Sequence, residues 1–387
     1  MLRFLSAGES HGKCLVGILD GMVSRLEVSA GYIDLELARR QKGYGRGERM
    51  RIEADRVEIL SGIRDGKTTG APVAFLIKNN DYENWKGIMS ADKKEGGGER
   101  YVPRPGHADL PGVEKFGFKD IRNVIERSSA RETAARVAAG AICRKFRAEF
   151  GVVFYSRVIQ VGSVRDVTSW EEMLACGYGK TDSSDVRNIA KEEEMKKEID
   201  SAREKGESVG GVFELVADGL CPGIGNYTQW DKRLDASIAR CLMSIPGIKG
   251  VELGAGFGGM NLAGSQFHDS IFMEKGKGFR RRTNNAGGVE GGITNGEKIW
   301  VKCAMKPIPT LKNPLESFDI RTLKPEKSYY ERSDTCAVVP ASVVGENFLA
   351  FALAESFIEK FGGDSMEEVK SNYLCYLESI TRYWKKG

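Results

Sequence analysis

The chain has 387 residues, 41% hydrophobic and 29% charged, enough for one large or two ordinary domains with real cores. Its 58 basic and 54 acidic residues leave a net charge of only +4, less than a general nucleic-acid binder carries. Eight cysteines are scattered without a Cys-x-x-Cys pair, which argues against a zinc site or a disulfide framework, and no window approaches ~18 uninterrupted apolar residues, so no membrane span is expected.

The opening MLRFLSAGES is too short an apolar stretch for a signal peptide, so the reducing cytoplasm is the expected compartment. Gly8-Glu9-Ser10-His11-Gly12 fits the nucleophile-elbow pattern G-x-S-x-G. Such an elbow needs several strands before it, and the residues ahead of Gly8 cannot supply them. CLVGILDG then reads as a strand. Arg39 and Arg40 precede QKGYGRGERMR, which adds Arg46, Arg49 and Arg51. GIRDGKT at 62–68 resembles a phosphate-binding loop, but it is one residue short and leads into APVAFLIKN, a strand pattern; a tight strand connection is expected.

Arg104-Pro105-Gly106-His107-Ala108-Asp109 follows, and then a helix that begins at Ser129. Ser129-Ala130-Arg131-Glu132 has the form of a capping box, and ETAARVAAGAICRKFRAEF after it is alanine-rich, as a central buried helix requires. GVVFYSRVIQVG, GGVFELVADG and KIWVKCAM alternate apolar and polar residues, which suits antiparallel sheets with one buried face. Between them, the sign-alternating charges of Ser183–Gly206 predict a solvated helix. GAGFGG at 254–259 fits G-x-G-x-x-G, but MNLAGSQFHDS after it lacks helical periodicity, so a glycine-rich loop is expected instead of a dinucleotide fold. A second apolar helix is predicted over Ala341–Lys360, stopping at Gly362-Gly363, and a third from the box Ser365-Met366-Glu367-Glu368. The first two helices are alike in their alanine content and in a Phe-containing end before Gly. Internal duplication or helical composition alone produces such likeness. Strand and helix signals interleave, which places the chain in the mixed α/β or α+β class.

The chain has three histidines, and His11 and His107 each lie beside glycine in a polar loop. That setting suits proton exchange with a ligand and equally a surface side chain; His268, in GSQFHDS, reads as structural. Arginines bind carboxylate and phosphate bidentately and stay charged when partly buried, so the cluster at 39–51, with Arg127, Arg131 and Arg332, reads as a candidate anion site. The amides and dipole at the helix start, beside Arg127, Ser128 and Ser129, also favour an anion. Two prolines in Lys306-Pro307-Ile308-Pro309-Thr310 hold Lys306 and Thr310 in defined directions.

GESHG, ARRQKGYGRGERM, RPGHAD, RSSARETAARVAAGA, RTNNAGGVEGGITNGE, KPIPT and ERSDTCAVVPA occur in this order along the chain. In this the sequence resembles the chorismate synthase family. The resemblance implies an α+β fold, a single-domain β-α-β sandwich over 1–387 with alanine-rich helices between two largely antiparallel sheets. It also implies a homotetramer. The implied reaction is the anti-1,4-elimination of phosphate from 5-enolpyruvylshikimate-3-phosphate to give chorismate, the last common step of aromatic amino-acid biosynthesis. It uses reduced FMN without net redox change, and NADPH if the enzyme reduces its own flavin.

Carried over by position, the resemblance makes His11 an acid near the leaving phosphate, His107 a proton donor at the flavin and Asp334 a proton relay. Ser10, Arg40, Arg46, Arg49, Arg131 and Ser333 match substrate contacts. Arg40 and Arg46 also match nicotinamide-dinucleotide contacts of relatives. Arg127, Ser128, Ser129, Pro246, Gly247, Gly291, Lys306, Pro307, Ile308, Pro309, Thr310 and Arg332 match FMN contacts. One departure falls at Pro246-Gly247, where many family members carry a polar residue near the flavin; only a backbone contact can survive there. No metal, nucleic acid or membrane is expected. A flavin- or NAD-linked oxidoreductase and a polyanion-binding protein are the alternative classes.

Overall fold

The computed structural model describes residues 1–47, 54–92, 97–170, 172–173, 178–274, 278–331 and 333–385. Each of the alternating runs becomes a strand. β1 (Arg3–Ala7) and β2 (Cys14–Asp20) are followed by α1 (Ala30–Gln41), β3 (Val57–Ile59) and β4 (Val73–Lys78). Next come α2 (Asp109–Phe116), α3 (Arg122–Ser128) and α4 (Thr133–Ala148). The second half holds β5 (Val153–Val161), β6 (Val164–Arg165), α5 (Glu192–Glu204), β7 (Gly211–Asp218), α6 (Leu234–Met243), β8 (Ile248–Leu253) and β9 (Ile299–Met305). It ends on α7 (Val338–Phe361) and α8 (Met366–Lys385).

One sheet runs β1-β2-β4-β3 and the other β8-β9-β7-β5-β6, with every neighbouring pair antiparallel. Alternation sends Leu15 and Leu19 of β2 and Val73, Phe75 and Ile77 of β4 inward from the first sheet. Phe213, Leu215 and Ala217 of β7 face inward from the second. Between the sheets lie α1, α4, α6 and α7, so the expected α+β sandwich is observed. The small side chains of α4 and α7 let the two helices cross closely. At the crossing, a Cβ on Gly140 would stand 2.5 Å from the Asn347 carbonyl oxygen.

The likeness of the two long helices extends to topology. β1-β2-α1-β3-β4-α4 and β5-β7-α6-β8-β9-α7 are the same ββαββα succession. In each sheet the fourth strand lies between the second and the third. Each copy also carries a long insertion between its fourth strand and its last helix. In the first copy this insertion holds α2, α3 and a small core of its own, Val113, Ile121, Val124 and Ile125.

Some local expectations are corrected and others hold. Ser129 does not open a reciprocal capping box. Its Oγ accepts from the Arg131 amide at 3.3 Å, while Glu132 turns away to pair with Arg136 at 2.8 Å. The unpredicted α3 runs straight into Ser129, a 3₁₀ turn covers Ala130–Glu132, and α4 proper starts at Thr133. The amides of Arg131, Glu132 and Thr133 are bonded within that turn, which weakens the case for an anion on the helix start. The charged stretch is helical only over Glu192–Glu204 and buries Met195, Ile199 and Ala202 along one face. The box at Ser365 does form: the Glu368 amide donates to Ser365 Oγ, and the Ser365 amide donates to Glu368 Oε2. GIRDGKT is a hairpin of Ile63–Arg64 with Lys67–Thr68, turned through Asp65 and Gly66 at φ 49° and 72°. GAGFGG leads into a 3₁₀ turn, Gly256–Asn261, and not into a dinucleotide-binding helix. Among the described residues, α7 alone is long and apolar enough to cross a membrane, and 94% of its apolar window is buried inside the protein.

Candidate functional site

The loops at one end of the helical layer enclose a cavity of about 440 Å³, within the usual ~300–1,000 Å³ of small-molecule sites. The β1–β2 loop brings Ser10 and His11, and the end of α1 with the loop after it brings Arg40 and Arg46. The first insertion brings Arg104, His107, Ser128, Ser129 and Arg131. The α6–β8 turn brings Pro246 and Gly247, and a bulge follows it at the start of β8. The second insertion brings Lys306–Thr310, Glu331, Ser333 and Asp334. The two insertions clasp each other. Lys306 Nζ donates to the Gly106 carbonyl, Arg104 to Thr310 Oγ1 at 3.3 Å, and Ser317 Oγ to the Pro103 carbonyl at 2.6 Å.

His11 lies against α3. Its backbone amide donates to Glu126 Oε2 at 2.8 Å, and its ring Nδ1 lies 3.0 Å from both carboxylate oxygens. The ring stacks on Trp85 with centroids 3.9 Å apart. Glu126 is buried, which alone would raise its pKa; hydrogen bonds from His11 and the charge of Arg122 outweigh this and hold it below the usual carboxylate range. His107 has a parallel arrangement. Its Nδ1 is 2.5 Å from Asp109 Oδ1, and Arg104 Nε donates to the other oxygen at 2.8 Å. Burial would raise Asp109 as well, but the His107 and Arg104 hydrogen bonds depress it well below its ordinary value. Arg104 Nη2 is nearly equidistant from the two ring nitrogens of His107, at 3.1 and 3.3 Å.

Five cationic side chains line the cavity, Arg40, Arg46, Arg104, Arg131 and Lys306, against the carboxylates of Glu331 and Asp334. Arg40 and Arg131 share one buried carboxylate, Asp55, at 3.4 and 2.6 Å. Burial pushes Arg40 down to about 10, with Asp55 opposing the shift and Arg131 and Arg46 adding to it. A cation held under such strain is relieved by an incoming anion. Arg46 Nη1 donates to Asp334 Oδ2 at 2.6 Å, and the Gly47 amide donates to Oδ1 at 2.7 Å. Lys306 is lowered by burial and by neighbouring Lys249, and among the described residues no carboxylate pairs with it. Ile125, Ile245, Met305 and Ile308 make the apolar part of the wall.

Most of the expected site residues therefore converge. Arg127 does not line the cavity: its guanidinium donates to the carbonyls of Ser6 and Gly8 at 3.0 and 3.1 Å and ties α3 to the β1 edge. Gly291 sits apart, in the turn between Val289–Glu290 and Ile293–Thr294. Arg49, Arg51 and Arg332 lie outside the described residues. His268 closes the short helix Gly264–Phe267, away from the cavity lining. Sequence reasoning missed Glu126, Trp85 and Asp55, whose separations from His11 and Arg131 carry no local signal. Asp109 could have been found, two residues after His107 in the same motif. Arg104 stood in that motif too, but without an assigned role.

A family model described as chorismate synthase matches residues 2–358. A chorismate synthase from Desulforudis audaxviator (strain MP104C) is 51% identical over 386 residues, covering 98% of each chain. One from Aquifex aeolicus (strain VF5) is 51% identical over 396 residues, covering 99% of each. A crystal structure of chorismate synthase superposes with a TM-score of 0.79 at 43% identity, covering 98% of both chains.

Proposed function

The chain belongs to the chorismate synthase family, a carbon–oxygen lyase of the shikimate pathway, and from that membership we propose that the cavity between the two insertions is its active site. The observation that carries this is the meeting of two carboxylate-backed histidines with five cations on one cavity. The substrate, 5-enolpyruvylshikimate-3-phosphate, brings two carboxylates and a phosphate, charges that a partly dry site accepts only beside several cations. Arg40, Arg46 and Arg131, with Ser10 and Ser333, hold these anionic groups, and Arg49 joins them. His11 donates a proton from Nε2 to the leaving phosphate. His107 holds a proton at Nε2, and Asp334 moves one at its carboxylate, beside Arg46 and the Gly47 amide.

The cofactor of this reading is reduced FMN. Lys306, with no carboxylate against it among the described residues, stands beside the apolar wall of Ile245, Met305 and Ile308 and suits a ligand that is part anion and part flat ring. Ser128, Ser129, the backbone of Pro246-Gly247 and Lys306–Thr310 would hold it, together with Arg332. Reduced FMN supplies a transient electron for an elimination whose C–H is not acidic, without net redox change. Arg127 and Gly291, away from the cavity, receive no role in it within one chain. NADPH belongs here only if the enzyme reduces its own flavin, with Arg40 and Arg46 as its contacts. We further propose one domain over 1–387, supported by the shared core of both sheets, and a cytoplasmic homotetramer. The test is an anaerobic assay with reduced FMN and substrate, following phosphate release. Turnover that needs the flavin without consuming it is expected; release without any flavin overturns the reading.

A further inference from the structure

We infer that Glu126 is a positioning residue that fixes which nitrogen of His11 carries the exchangeable proton. The inference rests on the proposed role of His11 as the acid at the leaving phosphate and adds a residue to it. Glu126 grips the β1–β2 loop at three atoms. Its carbonyl accepts from the Ser10 amide at 3.0 Å, and its carboxylate takes both the His11 amide and the ring Nδ1. The carboxylate is fully buried, and Arg122, one turn earlier on α3, donates to it at 3.2 Å. Trp85 stacks on the imidazole and limits its rotation.

An ionised carboxylate only accepts hydrogen bonds. Facing Glu126, Nδ1 must therefore carry its own proton in both the neutral and the charged ring. Exchange with a ligand falls to Nε2. The charged ring, which an acid must be before it donates, has its counter-charge directly behind it.

Glu126→Gln separates these effects at nearly constant shape. The amide keeps one oxygen for three donors, the His11 backbone N–H, the ring Nδ1–H and Arg122, where the carboxylate had two. Whichever way it turns, its NH2 replaces an oxygen 3.0 Å from Nδ1, which favours an acceptor at Nδ1 and shifts the proton of the neutral ring toward Nε2. The charged ring loses its counter-charge and meets a donor where it needs an acceptor. Glu126→Asp keeps the charge but withdraws it by one methylene.

With three histidines in the chain, selective ¹⁵N-histidine labelling resolves the tautomers, and His11→Ala assigns the resonance. The expected result covers tautomer, rate and affinity. The wild-type ring is protonated at Nδ1, and Glu126→Gln moves that proton to Nε2. Turnover falls by ~10²-fold, the scale of a lost general acid. Substrate affinity stays within a few-fold, and Glu126→Asp recovers part of the rate. The double variant with His11→Ala should be no slower than His11→Ala alone, because the Gln oxygen still accepts from the backbone N–H of residue 11 and the rest of the effect of Glu126 runs through the ring. A Glu126→Gln enzyme at near wild-type rate while His11→Ala is slow overturns the inference alone. So does a double variant slower than His11→Ala. If His11→Ala itself turns over normally, the acid role of His11 fails and the inference falls with it. An unchanged ring tautomer in Glu126→Gln also overturns it, even if that variant is too unstable for steady-state assay.

Discussion

His11 and His107 share a construction in which ring Nδ1 faces a carboxylate whose side chain is fully buried, Glu126 or Asp109. His268 has neither a carboxylate partner among the described residues nor a place on the cavity. His11→Ala and His107→Ala should each lower turnover by ~10²-fold or more, and His268→Ala far less. Steady-state kinetics of the three variants check this, and equal losses would count against the assignment. Asp334 is a harder case, because its oxygens are already engaged by Arg46 and the Gly47 amide. In Asp334→Asn one amide atom can keep the Gly47 bond, but the other turns an N–H toward Arg46. Turnover should fall by ~10²-fold through the lost proton carrier. Substrate binding should weaken with it, because Arg46 loses its partner. Separate measurements of kcat and substrate affinity distinguish the two losses. Unchanged affinity would mean that Arg46 does not depend on Asp334, and near-normal kcat would remove the proton role.

The crossing of α4 and α7 is the element on which the rest is hung, and it is built from small residues. Gly140 is the point of closest approach. Alanine normally stabilises a helix interior by ~1 kcal/mol over glycine. At Gly140 the added carbon would meet Asn347 backbone atoms at 2.5 and 2.7 Å, which a helix cannot move cheaply. Overpacking of this kind costs ~1–3 kcal/mol and should win. Gly140→Ala is therefore expected to lower stability in urea denaturation, and a stabilised variant would show that the helices can part. The alanine content of both helices was legible in the sequence for the same physical reason. The start of α4 was not, because Ser-x-x-Glu has the form of a capping box only when the chain enters from a loop. Here α3 enters it directly, and Glu132 finds Arg136 one turn ahead instead of the Ser129 amide. The strands were legible because alternation survives any topology. Their order in the sheets was not, because alternation carries no record of which strand lies beside which.

At the scale of the whole molecule, the site lies where equivalent insertions of two ββαββα copies meet, so motifs some 200 residues apart had to converge. Their residue types were readable; the clasp that joins them was not. A buried charge cluster links the two copies. Glu346 of α7 accepts from Arg39 of α1 at 3.0 Å and pairs with Arg144 of α4 at 2.7 Å and Arg187 at 3.5 Å. Burial alone would raise its pKa, but the charges of Arg144, Arg39 and Arg187 outweigh burial and hold it down to about 2, from an ordinary 4.5. A carboxylate depressed by folding contributes its full stabilisation above its unfolded value. It loses that contribution as pH falls through its folded value. The window for Glu346 is therefore pH 4.5 to about 2. Glu346→Gln leaves three arginines short of a buried counter-charge and should cost ~3 kcal/mol at neutral pH. Other depressed carboxylates, Asp109 and Glu126 among them, also destabilise the wild type in acid, so the informative quantity is the difference between wild type and variant. That difference, from urea denaturation at a series of pH values, should be constant above the window and shrink within it. A difference that does not change with pH would mean that Glu346 acts through its shape and hydrogen bonds, and not through its charge.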